Sequence, residues 1–142
     1  ASGTDRSESN DHYSTFNQLF PFGHYYFGFI DLVSRQNIHD WNTHLTVFPT
    51  KWLQLGFQHH YLRLDDETDF LYNAGGVATR RDPTGNAGSD VGHEFDLIAN
   101  LTIDKHQSVL IGYSILLKGG FLEATSPGED PELTYIQYNY RW

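Results

Sequence analysis

The sequence predicts an all-β fold. More specifically, it predicts an antiparallel up-and-down transmembrane β-barrel, of which this chain supplies a C-terminal segment of about five strands with long extracellular loops. Three observations carry this. Apolar and polar residues alternate with a period of two along five stretches. Each stretch matches a tilted membrane span of roughly 9–11 residues rather than the usual soluble strand of about 5–6. The connections between them run short, long, short, long, as in outer-membrane barrels.

The strands follow in order. Residues 39–48 (HDWNTHLTVF) alternate and end in a tight turn at Pro49-Thr50. Residues 51–64 alternate again, and a long polar stretch rich in Asp, Gly, Asn and Pro runs over 65–91. The next strand, 92–103, leads through Asp104-Lys105-His106 into 107–118. A loop with Gly119-Gly120 and Ser126-Pro127-Gly128 then precedes the last strand, 132–142. Residues 39–142 are therefore read as barrel strands and their connections. Residues 1–15 read as a mobile polar end or loop. Residues 16–38 read as a structured extracellular loop in which the spacing of 27–33 suits a short helix or strand.

Successive side chains on a strand point to opposite faces. One face collects Leu53, Leu55, Phe57, Leu97, Ile111, Tyr113 and Ile115, the expected lipid-facing set, with few polar intrusions beyond Thr43, His59 and Thr134. The other face collects Asp40, His44, Gln54, Gln58, His60, Glu94, Asp96, Asn100, Gln137, Asn139 and Arg141, the expected pore lining. Its apolar exceptions are Ile98, Leu110, Leu116 and Tyr135. Aromatics near strand ends, among them Trp41, Trp52, Tyr61, Tyr140 and Trp142, suit interfacial girdles.

Composition narrows the chemistry. The 142 residues contain no Cys, which removes disulfides, thiolate metal sites and cysteine nucleophiles. They also contain no Met. Mean hydropathy is −0.50, and no apolar run approaches the roughly 20 residues of a membrane helix. A barrel escapes both tests because every second residue faces the lumen. The net charge of −9 leaves no basic footprint for nucleic acid.

The acidic loops, including Glu8, Asp11 and the runs 65–69 and 82–86, read as solvated. A second reading is divalent-cation bridging to anionic lipopolysaccharide, or calcium binding through their oxygens. No resident cofactor or metal centre is expected. His59 and His60 point to opposite faces and cannot share one metal, while His44, His60, Glu94 and Asp96 can approach across strands. Glu94 and Asp96 are expected to bond to Arg or Gln of neighbouring strands, and nothing around them suggests an enzyme. Phe16, Phe20, Phe22, Tyr25, Tyr26, Phe27 and Phe29 form the densest aromatic cluster, read as a small loop core or as a sugar-stacking or partner surface.

Five strands cannot close a pore, since about eight make the smallest barrel. An open sheet edge is not tolerated in lipid. Further strands are expected from chain before Ala1 or from a partner chain, with the last strand ending in the periplasm.

The stretch FNQLFPFGHYYFGFIDLVSRQNI (16–38), together with LYNAGG (71–76), VGHEFDL (91–97) and the terminal YIQYNYRW (135–142), resembles the C-terminal region of alginate-export-type outer-membrane porins, in order and over nearly all of 16–142. That resemblance implies a large single-chain barrel in the outer membrane of a Gram-negative-type bacterium. It would export polysaccharide or pass another hydrophilic solute, in contact with lipid and lipopolysaccharide. The alternation Ile136, Tyr138, Tyr140, Trp142 resembles the terminal signal recognised by the barrel-assembly machinery, with Trp in place of the usual Phe. The lining departs from that of a polyanion exporter: Arg141 and Lys118 face Asp40, Glu94 and Asp96. Two other readings stay open, an interaction module pairing with another outer-membrane chain and a soluble ligand-binding barrel.

Overall fold

A computed structural model describes residues 1–6, 13–24 and 26–142; the expectations placed on Glu8, Asp11 and Tyr25 lie outside it. The chain is all-β. Its main sheet has five antiparallel strands: β1 (Ile38–Thr50), β2 (Leu53–Leu64), β5 (Asp90–Thr102), β6 (Gln107–Lys118) and β7 (Glu132–Tyr140). They lie in sequence order, each bonded to the strand before it. A short two-stranded sheet pairs β3 (Leu71–Tyr72) with β4 (Ala78–Arg80), and the helix α1 (Gly120–Thr125) follows β6.

Four of the five main strands are 12 or 13 residues long, more than twice the common soluble length. They run this long because Gly and Pro are scarce inside them and β-branched and aromatic residues recur on one face. Register is continuous from β5 to β7, so the rows Asn42–His60–Glu94–Leu116 and His44–Gln58–Asp96–Ser114–Leu133 run straight across the sheet.

The structure corrects several boundaries. The turn expected at Pro49-Thr50 falls instead at Lys51-Trp52. Pro49 sits within β1 at an irregularity between Val47 and Thr50, on a strand with one unpaired edge, where a residue lacking an N–H is tolerated. The last strand stops at Tyr140, two residues short of the expected end, so Arg141 and Trp142 lie beyond it. The 65–91 stretch contains the β3–β4 hairpin, whose two- and three-residue strands are too short to show a period. The Gly119–Pro131 connection contains α1, which turns Phe121 and Leu122 inward. No helix or strand forms at 27–33.

The apolar core lies at the long-loop end of the sheet. Leu62, Leu64 and Leu116 meet Val33, Ile38, Leu71, Val91, Phe121 and Leu122 there. Leu116 thus breaks the polar pattern of its face because the loops and α1 cover it. Asn37, fully buried with φ 50°, ties the start of β1 to the next loop. Its amide donates to the carbonyls of Asp66 (2.9 Å) and Phe70 (3.1 Å) and its oxygen accepts from the Asp66 N–H (2.7 Å). Asn is among the residues that tolerate this backbone region.

Removing the Phe121 ring should leave a cavity under the loops. Phe121→Ala is expected to cost about 3–5 kcal/mol, read as a lower temperature for loss of the compact band on unheated denaturing gels. Ile136→Ala, on the exposed face, should shift that temperature little.

Candidate functional site

The two faces of the sheet differ in kind. On one, large apolar side chains stand uncovered in every strand: Leu45 is 58% exposed, Leu55 38%, Leu97 55%, Ile111 41% and Ile136 72%. Tyr113 is also exposed, while Leu53, Phe57 and Ile115 are half-buried by their neighbours along the sheet. Contiguous apolar surface of this extent marks contact with a membrane or another protein. At its long-loop end the face carries a ring ladder in which Trp41, Tyr61, His93, His59 and Phe95 stack in sequence, with His59 Nε2 3.0 Å from His93 Nδ1.

The other face is polar and partly covered. His60, Glu94, Asp96 and Ser114 are fully buried on it. Their cover is the 27–30 segment, which folds onto the sheet. The backbone N–H of Ile30 donates to Glu94 Oε1 at 2.9 Å, and that of Phe29 to Asp96 Oδ1 at 3.4 Å. The Phe29 ring stacks on Tyr135, centroids 5.3 Å apart and 11° from parallel.

Two glycines make this approach possible. Gly28 has φ +85°, and a Cβ there would sit 2.2 Å from Glu94 Oε1. A Cβ on Gly112 would sit 2.0 Å from the Tyr135 ring, so Tyr135 lies across that strand in the space Gly112 leaves. Farther along, Asp40 accepts from His60 Nδ1 (3.0 Å) and from the Asn42 amide (2.8 Å), while His44 meets the His60 ring edge-on.

The structure therefore brings Asp40, His44, Gln58, His60, Glu94 and Asp96 together on one face. Gln54 and Asn100 pair across β2 and β5, and Asn100 continues through Leu110 to Gln137. Gln137 donates to Asn139 at 2.7 Å. Arg141 stands beyond the end of β7, exposed, with its backbone N–H on the His106 carbonyl. Glu94 and Asp96 do not find the Arg or Gln partners expected of them; their partners are loop N–H groups. Burial under the loop excludes a long cationic side chain where a backbone can approach.

Gln58 Oε1, His60 Nε2, Glu94 Oε2, Asp96 Oδ2, Ser114 Oγ and Tyr135 OH have no protein hydrogen-bond partner among the described residues. Buried polar atoms ordinarily have such partners, so these six leave hydrogen-bonding capacity unmet within the described protein. Among the described residues no group of three or more His, Asp or Glu is arranged to hold a metal.

The loop is held from outside by a second network. Asp69 is fully buried at its side chain. It accepts from Arg6 Nε (2.6 Å), the Thr4 N–H (3.0 Å), Tyr72 OH (3.2 Å) and Thr15 Oγ1. Burial alone would push its carboxyl upward, but the donors from Thr15, Arg6 and the backbone outweigh it and hold the group below its ordinary value. Arg6 is raised in turn, chiefly by its hydrogen bond to Asp69. Other loop acids are also engaged: Asp65 by the Gly3 N–H and His39, Asp82 by Thr84 and the Ala87 N–H.

Sequence reading missed the inward fold of 27–30. Its only trace is a glycine between two phenylalanines, since a loop that bonds through its backbone leaves no side-chain signature.

A family model described as "Alginate export" matches residues 1–135 of the chain. No curated protein gives a significant match, and neither does any solved structure.

Gly28→Ala should lift the loop from Glu94. Losing an N–H bond to a carboxylate, about 1.5–3 kcal/mol, corresponds to roughly tenfold or more faster hydrogen exchange at the Ile30 amide. A second expectation concerns pH. The depressed Asp69 carboxyl stabilises the fold above the ordinary Asp value near 3.9, and that contribution is lost as pH falls through its lower folded value. Protease cleavage within 1–15 should therefore rise only below about pH 4, and Asp69→Asn should show that cleavage at neutral pH.

Proposed function

The chain belongs to the Alginate export family, and from that premise we propose that it forms part of the wall of an outer-membrane β-barrel pore carrying a hydrophilic solute. The single observation that supports this most is the inversion of the sheet. Apolar side chains stand uncovered on one face of all five strands, while on the other His60, Glu94 and Asp96 are buried and Asp40, Gln54, Gln58 and Asn100 half-buried, with His44 and Gln137 exposed on the edge strands. A soluble half-buried sheet would cover the first and wet the second. In a barrel wall the first meets lipid and the second meets a watery lumen.

On this reading Leu53, Leu55, Phe57, Leu97, Ile111, Tyr113 and Ile115 face lipid. The lumen set runs from Asp40 and His44 at the long-loop end to Asn139 and Arg141 at the other. The 16–38 segment is an extracellular loop whose tip dips inward and narrows the path over Glu94 and Asp96. The outer edges of β1 and β7 lack partners in the five-stranded sheet. Such edges are not stable in lipid, so further strands, from a longer chain or from a partner, complete the wall. Ile136, Tyr138, Tyr140 and Trp142 present the alternation that the assembly machinery would read.

The solute is proposed to be neutral or cationic rather than a polyanion. Three carboxyl groups, those of Asp40, Glu94 and Asp96, stand against the single Arg141 in this set, and neither Glu94 nor Asp96 is in an ion pair among the described residues. Lys118, the basic candidate nearest them, has its Nζ on the carbonyls of Ser126 and Gly128. Acidic linings favour cations.

Planar-bilayer recording of the purified, heat-modifiable protein tests both statements. Discrete conductance steps are expected, with a reversal potential in a KCl gradient on the cation side. Folded protein that never conducts would contradict the pore, and an anion-selective pore would contradict the assignment of solute charge.

A further inference from the structure

A cavity of about 430 Å³ lies between the 18–35 loop and the turn at Ala74, within the roughly 300–1,000 Å³ typical of small-molecule sites. Three rings line it, Phe20 88% exposed, Phe22 66% and Tyr26 45%, and Phe22 meets Tyr26 edge-on with centroids 6.4 Å apart. None of the three belongs to the apolar core, although Phe27 in the same segment packs against it. The Arg35 guanidinium lies over the Tyr26 ring at 4.3 Å. No hydrogen bond among the described residues engages its N–H edge, so its fork of donors is available.

The remaining charge in the wall is already met. Asp31 accepts from the His24 N–H at 2.6 Å and lies 3.0 Å from His24 Nδ1. His24 and Asp31 both hold positive φ, 61° and 60°, which closes the loop between them. His24 also stacks on Phe29, so the cavity wall is continuous with the segment pinned on Glu94 and Asp96.

We propose that this cavity binds a planar aromatic carboxylate, with the ring held among Phe20, Phe22 and Tyr26 and the carboxylate on the guanidinium fork of Arg35. The guanidinium fork matches a carboxylate two bonds at a time, and aromatic rings stack edge-to-face or offset. A neutral sugar leaves the charged fork without a charged partner. A long polyanion also meets Asp31, which lines the same cavity. A free phosphate uses the fork but none of the three rings. The inference goes beyond the transport reading: it concerns a loop cavity apart from the acidic row of Glu94 and Asp96, and its anionic ligand is distinct from the neutral or cationic solute proposed for the pore.

Saturation-transfer NMR with sodium benzoate on the detergent-solubilised, heat-modifiable protein is the test. Benzoate is expected to bind, and benzyl alcohol and glucose to compete at least about tenfold more weakly, since each lacks the charge-assisted pair. Arg35→Gln should weaken benzoate by about tenfold or more, and Arg35→Lys should recover part of the loss because charge returns without the fork. Absent saturation transfer, equal binding by Arg35→Gln, or equal competition by glucose or benzyl alcohol would each overturn the proposal. The ligand comparison on the unaltered protein decides the matter if a variant loses its compact band. A protein that conducts but does not bind benzoate overturns this site alone; one that binds benzoate but never conducts overturns the transport reading and leaves the site standing.

Discussion

The whole arrangement depends on register. Along a strand the side chains alternate faces, so a slip of one residue would carry every polar group of that strand to the wrong side. Here the ladder runs without interruption from β5 through β6 to β7 and almost without it from β1 to β5. Because of that, residues as distant in sequence as His44, Gln58, Asp96 and Ser114 fall in one row. The chemistry of the polar face is a consequence of pairing, and no local motif specifies it.

Register also explains the inward loop. A row that places Glu94 and Asp96 two residues apart on one face creates a demand for donors. The structure meets half of that demand with the N–H groups of Phe29 and Ile30. A backbone can come that close only where a glycine leads it, which Gly28 does. The Asp69 network fastens residues 1–6 and 13–15 to the neighbouring hairpin, so the loop is anchored at the core, at the carboxylates and at this outer clasp. The segment thereby keeps a defined path across the polar surface.

How much of this could be read from residues alone follows from the same physics. The strands of the main sheet, their order and the identity of each face were legible because period-two alternation persists for many residues. The turn at Lys51-Trp52 was misplaced because Pro49 is a strong turn signal, and its position on an unpaired edge overrode it. The helix at 120–125 and the 71–80 hairpin were hidden by their brevity. Of the candidate site, the shared face of Asp40, His44, Gln58, His60, Glu94 and Asp96 was legible from the alternation. The partners of Glu94 and Asp96 were not, since backbone N–H groups are supplied by every residue and betray nothing in a sequence. The resemblance to the alginate-export family rested on separated blocks between 16 and 142, and the family match over 1–135 spans most of them.

The central claim is that the two faces of one sheet meet two different solvents. The chain has no native Cys, so single spin labels can be placed at Gln54, Leu55, Phe57 and Gln58 of β2 in protein reconstituted into lipid. Collision with oxygen reports hydrocarbon, and collision with a water-soluble nickel chelate reports water. The account predicts high oxygen and low nickel accessibility at Leu55 and Phe57, and the reverse at Gln54 and Gln58. Water accessibility at all four positions, or no alternation between neighbours, would contradict it.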